Sequence, residues 1–178
     1  MLTTLVAILI LAVLGLVAYA ANHPGDFRVE RTATVRAAPE TLYDLIEDFH
    51  RWTAWSPYEN IDADLKRTYA GAERGVGAIY GWEGRKTGVG RMAITEAVRP
   101  SQVLIELIFL KPFQAHNTAE FTLEPTGEAT KVTWAMSGHN GLFAKLISLF
   151  FSMDKMVGPQ FEQGLAKLKA LAEREGSE

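Results

Sequence analysis

Short segments in which apolar and polar residues alternate fill the middle of the chain, and this pattern predicts a series of β-strands. Successive side chains of a strand point to opposite faces, so alternation indicates one buried face and one exposed face. The clearest example is the run from Ala115 to Glu124. The predicted strands are Phe27–Arg36, Asp64–Tyr69, Gly77–Glu83, Thr87–Val98, Val103–Leu110, Phe113–Glu124 and Thr130–Ser137.

Helical periodicity appears on both sides of this run of strands. Ala38-Pro39-Glu40 opens a short helix, with proline where its missing N–H costs nothing. Leu142–Ala172 is predicted to be one long, largely apolar helix, kinked at Pro159. We therefore expect an α+β fold of the helix-grip type, with about seven antiparallel strands curved around a long C-terminal helix. One helix is ~10 Å wide and cannot fill the concave face of so broad a sheet, which predicts an apolar cavity.

The N-terminal segment Leu2–Ala21 has no charged residue and is long enough to cross a bilayer as a helix. It predicts an uncleaved transmembrane anchor (residues 1–22) followed by one ligand-binding domain (residues 23–178). A cleaved signal peptide is the main alternative, because Ala18-Tyr19-Ala20 fits a cleavage site. A buried core helix is a further alternative. Arg28, Arg31 and Arg36 follow the segment, so the positive-inside rule favours a domain on the cytoplasmic side of a single-pass membrane protein.

Composition narrows the functional classes. The formal net charge is −3 and no basic cluster is visible, so no nucleic-acid partner is predicted. The chain has no cysteine, and its four histidines are scattered, so we predict no metal site and no cofactor. No catalytic motif is present, and no catalytic residue is assigned. Glu83 and Glu96, at strand ends, are the most plausible exceptions.

Face assignment on the strands and on the C-terminal helix predicts the lining of the cavity. The predicted ligand-binding residues are Tyr80, Trp82, Met92, Phe109, Asn117, Trp134, Met136, Phe150 and Met153.

Three positions near the predicted cavity have alternative interpretations. Asn117 either bonds the polar end of a ligand, satisfies a backbone group or points to an open sheet edge. Gly90 either leaves room for a ligand or marks a bulge. Trp52 and Trp55 either plug one end of the core or lie at the cavity mouth.

A second apolar stripe on the C-terminal helix, formed by Phe143, Ile147 and Phe151, requires its own covering. The alternatives are a protein partner, the N-terminal membrane segment, the bilayer surface, or loops of the same domain.

Several short segments together resemble one family. They are Phe27–Arg31, Ala38-Pro39, Trp52-x-x-Trp55-Ser56-Pro57, Gly75–Ala78 and Met153–Gly158. The chain resembles, over about Phe27–Glu173, the bacterial SRPBCC (START-like) proteins often labelled polyketide cyclases, in particular the branch with one N-terminal membrane segment. The resemblance implies the bacterial inner membrane as location. It does not imply one activity, because the superfamily includes lipid-transfer domains, hormone-binding proteins, aromatase/cyclases and chaperone activators.

The sequence therefore predicts a membrane-anchored binding protein for a hydrophobic or amphipathic small molecule, such as a lipid, an isoprenoid or a polyketide-like compound. The alternatives are a polyketide cyclase/dehydratase-like enzyme and a regulatory or chaperone-like interaction module.

Overall fold

Seven antiparallel strands form one curved sheet in the computed structural model, which describes residues 2–22, 24–149 and 152–176. The strands are β1 Asp26–Val35, β2 Lys66–Gly71, β3 Ala78–Gly84, β4 Gly88–Val98, β5 Gln102–Lys111, β6 Ala115–Thr126 and β7 Ala129–His139. Their spatial order is β1-β7-β6-β5-β4-β3-β2. All seven predicted strands are confirmed, with bounds that differ by a few residues.

Four α-helices accompany the sheet: α1 Leu2–Asn22, α2 Pro39–Glu47, α3 Leu142–Ser148 and α4 Met153–Glu175. Two 3₁₀ turns, Phe49–Ala54 and Pro57–Asn60, follow α2. The predicted helix-grip fold is confirmed, because α4 packs along the inner face of the sheet beside β1 and β7.

The prediction of one continuous helix over Leu142–Ala172 is wrong. Helix α3 ends at Ser148, and α4 begins at Met153 after Ser152, whose backbone is extended. The apolar run across this segment contains no glycine or proline at the break, so periodicity alone could not locate it. Helix α4 continues through Pro159.

The alternation of side chains is confirmed in the core. On β6, the inward Asn117, Ala119, Phe121 and Leu123 are buried, while the residues between them are partly exposed. The inner faces of the sheet, α2 and α4 share one apolar core. Trp55 is fully buried there, and the indole nitrogen of Trp52 donates a 2.9 Å hydrogen bond to the Ile46 carbonyl. Both tryptophans thus belong to the core.

Two glycines let helix α4 approach the sheet closely. A Cβ at Gly164 would lie 2.7 Å from Cζ3 of Trp134 and 2.9 Å from Cδ of Pro57. A Cβ at Gly158 would lie 2.1 Å from the Arg31 guanidinium. Arg31 itself bonds Asp154 and Glu162 on α4, each at 2.7 Å, and thereby joins β1 to the helix. The pair with Arg31 lowers the pKa of Asp154.

Helix α1 is long and apolar enough to cross a membrane, and little of it is buried. A signal sequence has the same length and composition, so both interpretations of the sequence remain open for this segment. In the structure, α1 lies beside α3.

We predict that Gly164→Ala destabilises the protein, although alanine in a helix interior is ordinarily favoured by about 1 kcal/mol. The added methyl group meets a rigid indole ring, and overpacking of this kind costs about 1–3 kcal/mol. Urea unfolding of the full chain measures the change. Gly141→Ala is the control, because a Cβ at Gly141 has open space around it. An unfolding midpoint for Gly164→Ala at or above that of the parent protein would contradict the close approach of α4.

Candidate functional site

A cavity of about 310 Å³ lies between the inner face of the sheet, the 3₁₀ turns and α4. This volume is at the lower end of the ~300–1,000 Å³ typical of small-molecule sites. The lining residues are Trp52, Ser56, Tyr58, Glu59, Ile61, Leu65, Tyr80, Trp82, Thr87, Met92, Leu107, Phe109, Ala119, Trp134, Met136, Val157 and Phe161. Most are aromatic or aliphatic, so the wall favours an apolar occupant.

The structure brings six of the nine sequence-predicted site residues together in this wall. They are Tyr80, Trp82, Met92, Phe109, Trp134 and Met136. Two others, Asn117 and Met153, are described but do not line the cavity. The ninth, Phe150, lies outside the described residues. That any of them binds a ligand remains a prediction.

Asn117 is buried for a local reason. Its strand, β6, is central in the sheet, so the predicted alternative of an open edge is wrong. Its register partner is Gly138 on β7, and a Cβ on that glycine would lie 2.1 Å from Oδ1 of Asn117. The amide therefore occupies the space above Gly138 rather than the cavity. Met153, at the start of α4, is partly buried and packs against the core.

Aromatic contacts hold the cavity wall in place. Trp134 stacks on Phe161 of α4 with ring centroids 4.1 Å apart and planes 9° apart. Trp82 meets Phe109 edge to face at 5.5 Å. Trp82 also covers Gly90, where a Cβ would lie 2.3 Å from the indole ring, and the β4–β5 register shifts beside this glycine. Gly90 therefore marks a bulge, and the Trp82 indole ring occupies the space above it, so this glycine does not leave empty space for a ligand.

The indole nitrogen of Trp134 is buried and has no hydrogen-bond partner among the described residues. A buried donor without an acceptor costs about 1–3 kcal/mol. Protein atoms enclose this nitrogen, so a molecule in the cavity would reach it only after a side-chain shift.

One polar cluster interrupts the apolar wall. Oε1 of Glu59 accepts a 2.7 Å hydrogen bond from the Tyr80 hydroxyl, and Oε2 accepts a 2.6 Å bond from Nε of Arg67. Arg67 also donates to the Glu59 carbonyl at 3.0 Å. Glu59 is 4 % exposed, so this carboxylate is compensated almost entirely by its two partners.

The two tyrosines of the wall stay protonated at neutral pH. Burial, followed by the hydrogen bond to Glu59, raises the pKa of Tyr80 well above its usual value. Burial alone raises the pKa of Tyr58. Tyr58 has an edge-to-face contact with Trp134, and no hydrogen bond joins its hydroxyl to another described residue. Its O–H is thus one of the polar groups of the wall that no described residue engages.

Sequence reasoning missed Glu59 and Tyr58 as wall residues. Both belong to the 3₁₀ turn Pro57–Asn60, which is too short to show a period. Neither helix nor strand alternation assigns a face to such a turn. The proposed exceptions Glu83 and Glu96 do not line the cavity, and Glu83 forms a surface pair with Lys66 at 3.5 Å.

The described histidines lie away from the cavity. His50 pairs with Asp48, His116 with Glu106, and His139 with Asp26, all on the surface. Within residues 2–22, 24–149 and 152–176, no group of three potential metal ligands comes together.

The sequence matches, over residues 26–173, the family model described as polyketide cyclase / dehydrase and lipid transport. The chain belongs to this family. The match covers the whole sheet, and α4 to within two residues of its end. It starts after α1, so membership in the polyketide cyclase / dehydrase and lipid transport family does not depend on the apolar N-terminal helix.

Solved structures show the same fold at low sequence identity. A protein from Chromobacterium violaceum is 16 % identical, with a TM-score of 0.60 over 85 % of this chain and 99 % of that one. A protein from Nitrosospira multiformis is 17 % identical, with a TM-score of 0.61 over 85 % and 100 %. The di-domain ARO/CYC protein StfQ from the steffimycin biosynthetic pathway is 13 % identical, with a TM-score of 0.60 over 86 % and 52 %. A comparison with curated protein sequences found no match.

We predict that Arg67→Met destabilises the protein by about 2–3 kcal/mol, because it leaves the Glu59 carboxylate buried with one partner. The double variant Arg67→Met/Glu59→Gln should regain at least half of this loss, since the neutral amide can still accept from Tyr80. Chemical unfolding of the parent, single and double variants measures the coupling. Equal stability of the single and double variants would show that the carboxylate does not depend on Arg67.

Proposed function

We propose that this chain is a membrane-anchored binding protein for an apolar or amphipathic small molecule, held in the cavity between the sheet and α4. The observation that carries the proposal is a preformed cavity of about 310 Å³ whose wall is built from aromatic and aliphatic side chains. Membership in a family described in part by lipid transport supports the same class of ligand.

The wall also suggests how such a ligand is oriented. Its apolar body contacts the aromatic side chains, while the Tyr58 hydroxyl meets a hydrogen-bonding group at one end. A few fixed polar groups in an otherwise apolar pocket are the usual source of orientation and specificity. The engaged carboxylate of Glu59 serves mainly to hold Tyr80 and Arg67 in place.

Anchoring is the second part of the proposal. Helix α1 is long enough to span a bilayer, and its residues lie outside the domain core. An apolar ligand has low solubility in water, so a domain fixed at the membrane stands next to the largest reservoir of such molecules.

A cyclase- or dehydratase-like enzyme is the second candidate. The family description and the presence of Glu59, Tyr58 and Tyr80 on the cavity wall favour it. Both oxygens of Glu59 already accept hydrogen bonds, which makes it a poorly placed proton acceptor. A Glu59→Gln variant that binds ligand normally but loses turnover would favour the enzyme over the binding protein.

The binding proposal predicts that filling the cavity abolishes uptake of an apolar probe. Ala119 lines the cavity on the inner face of β6, and Ala119→Phe places a ring in that space. Energy transfer from the tryptophans to N-phenyl-1-naphthylamine, with the full chain in detergent, measures binding. We expect at least a tenfold loss of affinity, which corresponds to about 1.4 kcal/mol or more.

Thr118→Phe is the matched control, because Thr118 is the neighbouring residue on the opposite face of the same strand. The control should bind the probe as the parent protein does. Ala119→Leu adds less volume and keeps the test available if phenylalanine prevents folding. A folded Ala119→Phe variant with unchanged affinity would refute the cavity as the binding site.

A further inference from the structure

The N-terminal helix α1, helix α3 and the opening of the cavity all lie at one end of the sheet. The strand register defines this end: Asp26 pairs with His139, Gly84 with Gly88, Val89 with Lys111, and Phe109 with Ala115. The starts of β1, β4 and β6 therefore lie beside the ends of β3, β5 and β7. We call this the anchor end, because α1 joins the sheet here.

Helix α1 cannot lie far from this end. It finishes at Asn22, four residues before β1, and four residues span about 14 Å at most. The connection from α1 to β1 is hydrogen-bonded to the connection from β7 to α3, because the Asn140 backbone N–H donates a 2.8 Å hydrogen bond to the Gly25 carbonyl. Helix α3 starts shortly after Asn140 and lies beside α1.

The cavity opens toward the same end. Its deep wall is formed by buried residues such as Trp52, Trp134 and Phe161. The lining residues Trp82, Thr87 and Phe109 are only partly buried, and all three lie next to the β3–β4 turn or the end of β5. Val157, also half-buried, belongs to the first turns of α4. The N-terminus of α4 points to this end, because Asp154 bonds Arg31 within β1 whereas Glu173 bonds Arg36 just beyond the other end of β1. These half-buried residues define the cavity mouth.

Several apolar side chains at the anchor end are exposed to solvent. Leu110, the penultimate residue of β5, is 46 % exposed. Phe113, in the connection between β5 and β6, is 61 % exposed. Leu142 and Ile147 of α3 are 48 % and 36 % exposed, and none of the α3 side chains that the structure describes is buried. Leu110 and the described side chains of α3 thus leave apolar surface exposed at the anchor end.

Basic residues complete this surface. Arg85 and Lys86 occupy the β3–β4 turn, Lys111 ends β5, and Lys145 lies in α3 against Gly25. None of these four forms an ion pair with a carboxylate among the described residues. Two nearby carboxylates have other partners, since Asp26 pairs with His139 and Glu83 with Lys66. Asp62 accepts hydrogen bonds from Thr87 and from the Lys86 backbone N–H, and the charge of Lys86 also helps to lower its pKa.

We propose that the anchor end is a bilayer-docking surface, on which the cavity mouth faces a membrane that contains anionic phospholipids. Exposed apolar side chains near Arg85, Lys111 and Lys145, which form no ion pair with another described residue, suit an interfacial position. There the apolar groups enter the headgroup boundary and the cations meet lipid phosphates. A ligand then passes between the bilayer and the cavity without crossing water. The inference rests on the proposed function and on α1 as an uncleaved membrane span.

This assignment also selects among the coverings considered for the second apolar stripe of the C-terminal region. Of its three residues, Ile147 is described and exposed, whereas the Phe143 side chain and Phe151 lie outside the described residues. Because α3 lies beside α1, a bilayer that holds α1 also reaches α3. The N-terminal segment is therefore the covering that α3 contacts in the structure, and the bilayer around α1 is the covering that we propose for the rest of the stripe.

Single-cysteine labelling of the full chain tests the proposal directly, because the parent sequence has no cysteine. Leu110→Cys and Ile147→Cys place a fluorescent label at the anchor end. Glu128→Cys is the control, in the turn between β6 and β7, about 33 Å away along β7. Each variant is reconstituted in vesicles of phosphatidylethanolamine with one-quarter phosphatidylglycerol, and quenching by headgroup-region nitroxide lipids is measured.

We expect the labels at positions 110 and 147 to be quenched at least threefold more strongly than the label at position 128. Charge reversal by Arg85→Glu/Lys86→Glu should reduce quenching at position 110, while Lys131→Glu, near the opposite end, should leave it unchanged. Equal quenching at all three positions would overturn the docking surface.

An alkaline carbonate wash of the same vesicles separates this outcome from failure of the anchor. Retention of the protein together with equal quenching refutes docking alone. Release of the protein by the wash refutes the membrane anchor, and with it both the proposed function and this inference.

Discussion

The close approach of α4 to one side of the sheet determines where the cavity can exist. The helix lies along β1 and β7, where Gly164 fits beneath Trp134 and Gly158 fits beneath Arg31. Because one helix covers only part of a seven-stranded concave face, the space in front of β3 to β6 must be filled in another way. Large aromatic side chains and the two 3₁₀ turns enclose that space without filling it.

The main architecture could be predicted from the sequence because alternation is a direct consequence of strand geometry. The buried residues of β6 and β7, such as Phe121 and Trp134, follow that rule. The break between α3 and α4 could not be predicted, since every residue near it is compatible with a helix in an apolar setting. Glu59 and Tyr58 escaped prediction because a 3₁₀ turn of four residues has no periodic face.

The polar cluster on the wall explains why this domain is harder to assign to an activity than to a fold. A buried carboxylate is a common mark of acid–base chemistry, yet here it bonds Tyr80 and Arg67 with both oxygens. That arrangement supports the wall between β2, β3 and the 3₁₀ turn. The same fold carries enzymes and binding proteins, so the chemistry of the wall, and not the fold, must decide between them.

The measurement that tests this account most directly is native mass spectrometry of the full chain, purified in a mild non-ionic detergent from cells that express it. The account predicts a single apolar small molecule bound in a one-to-one ratio, and predicts that a variant with a filled cavity emerges without it. Recovery of the parent protein without any bound molecule, or of the same adduct on the filled variant, would contradict the claim that the cavity is a binding site.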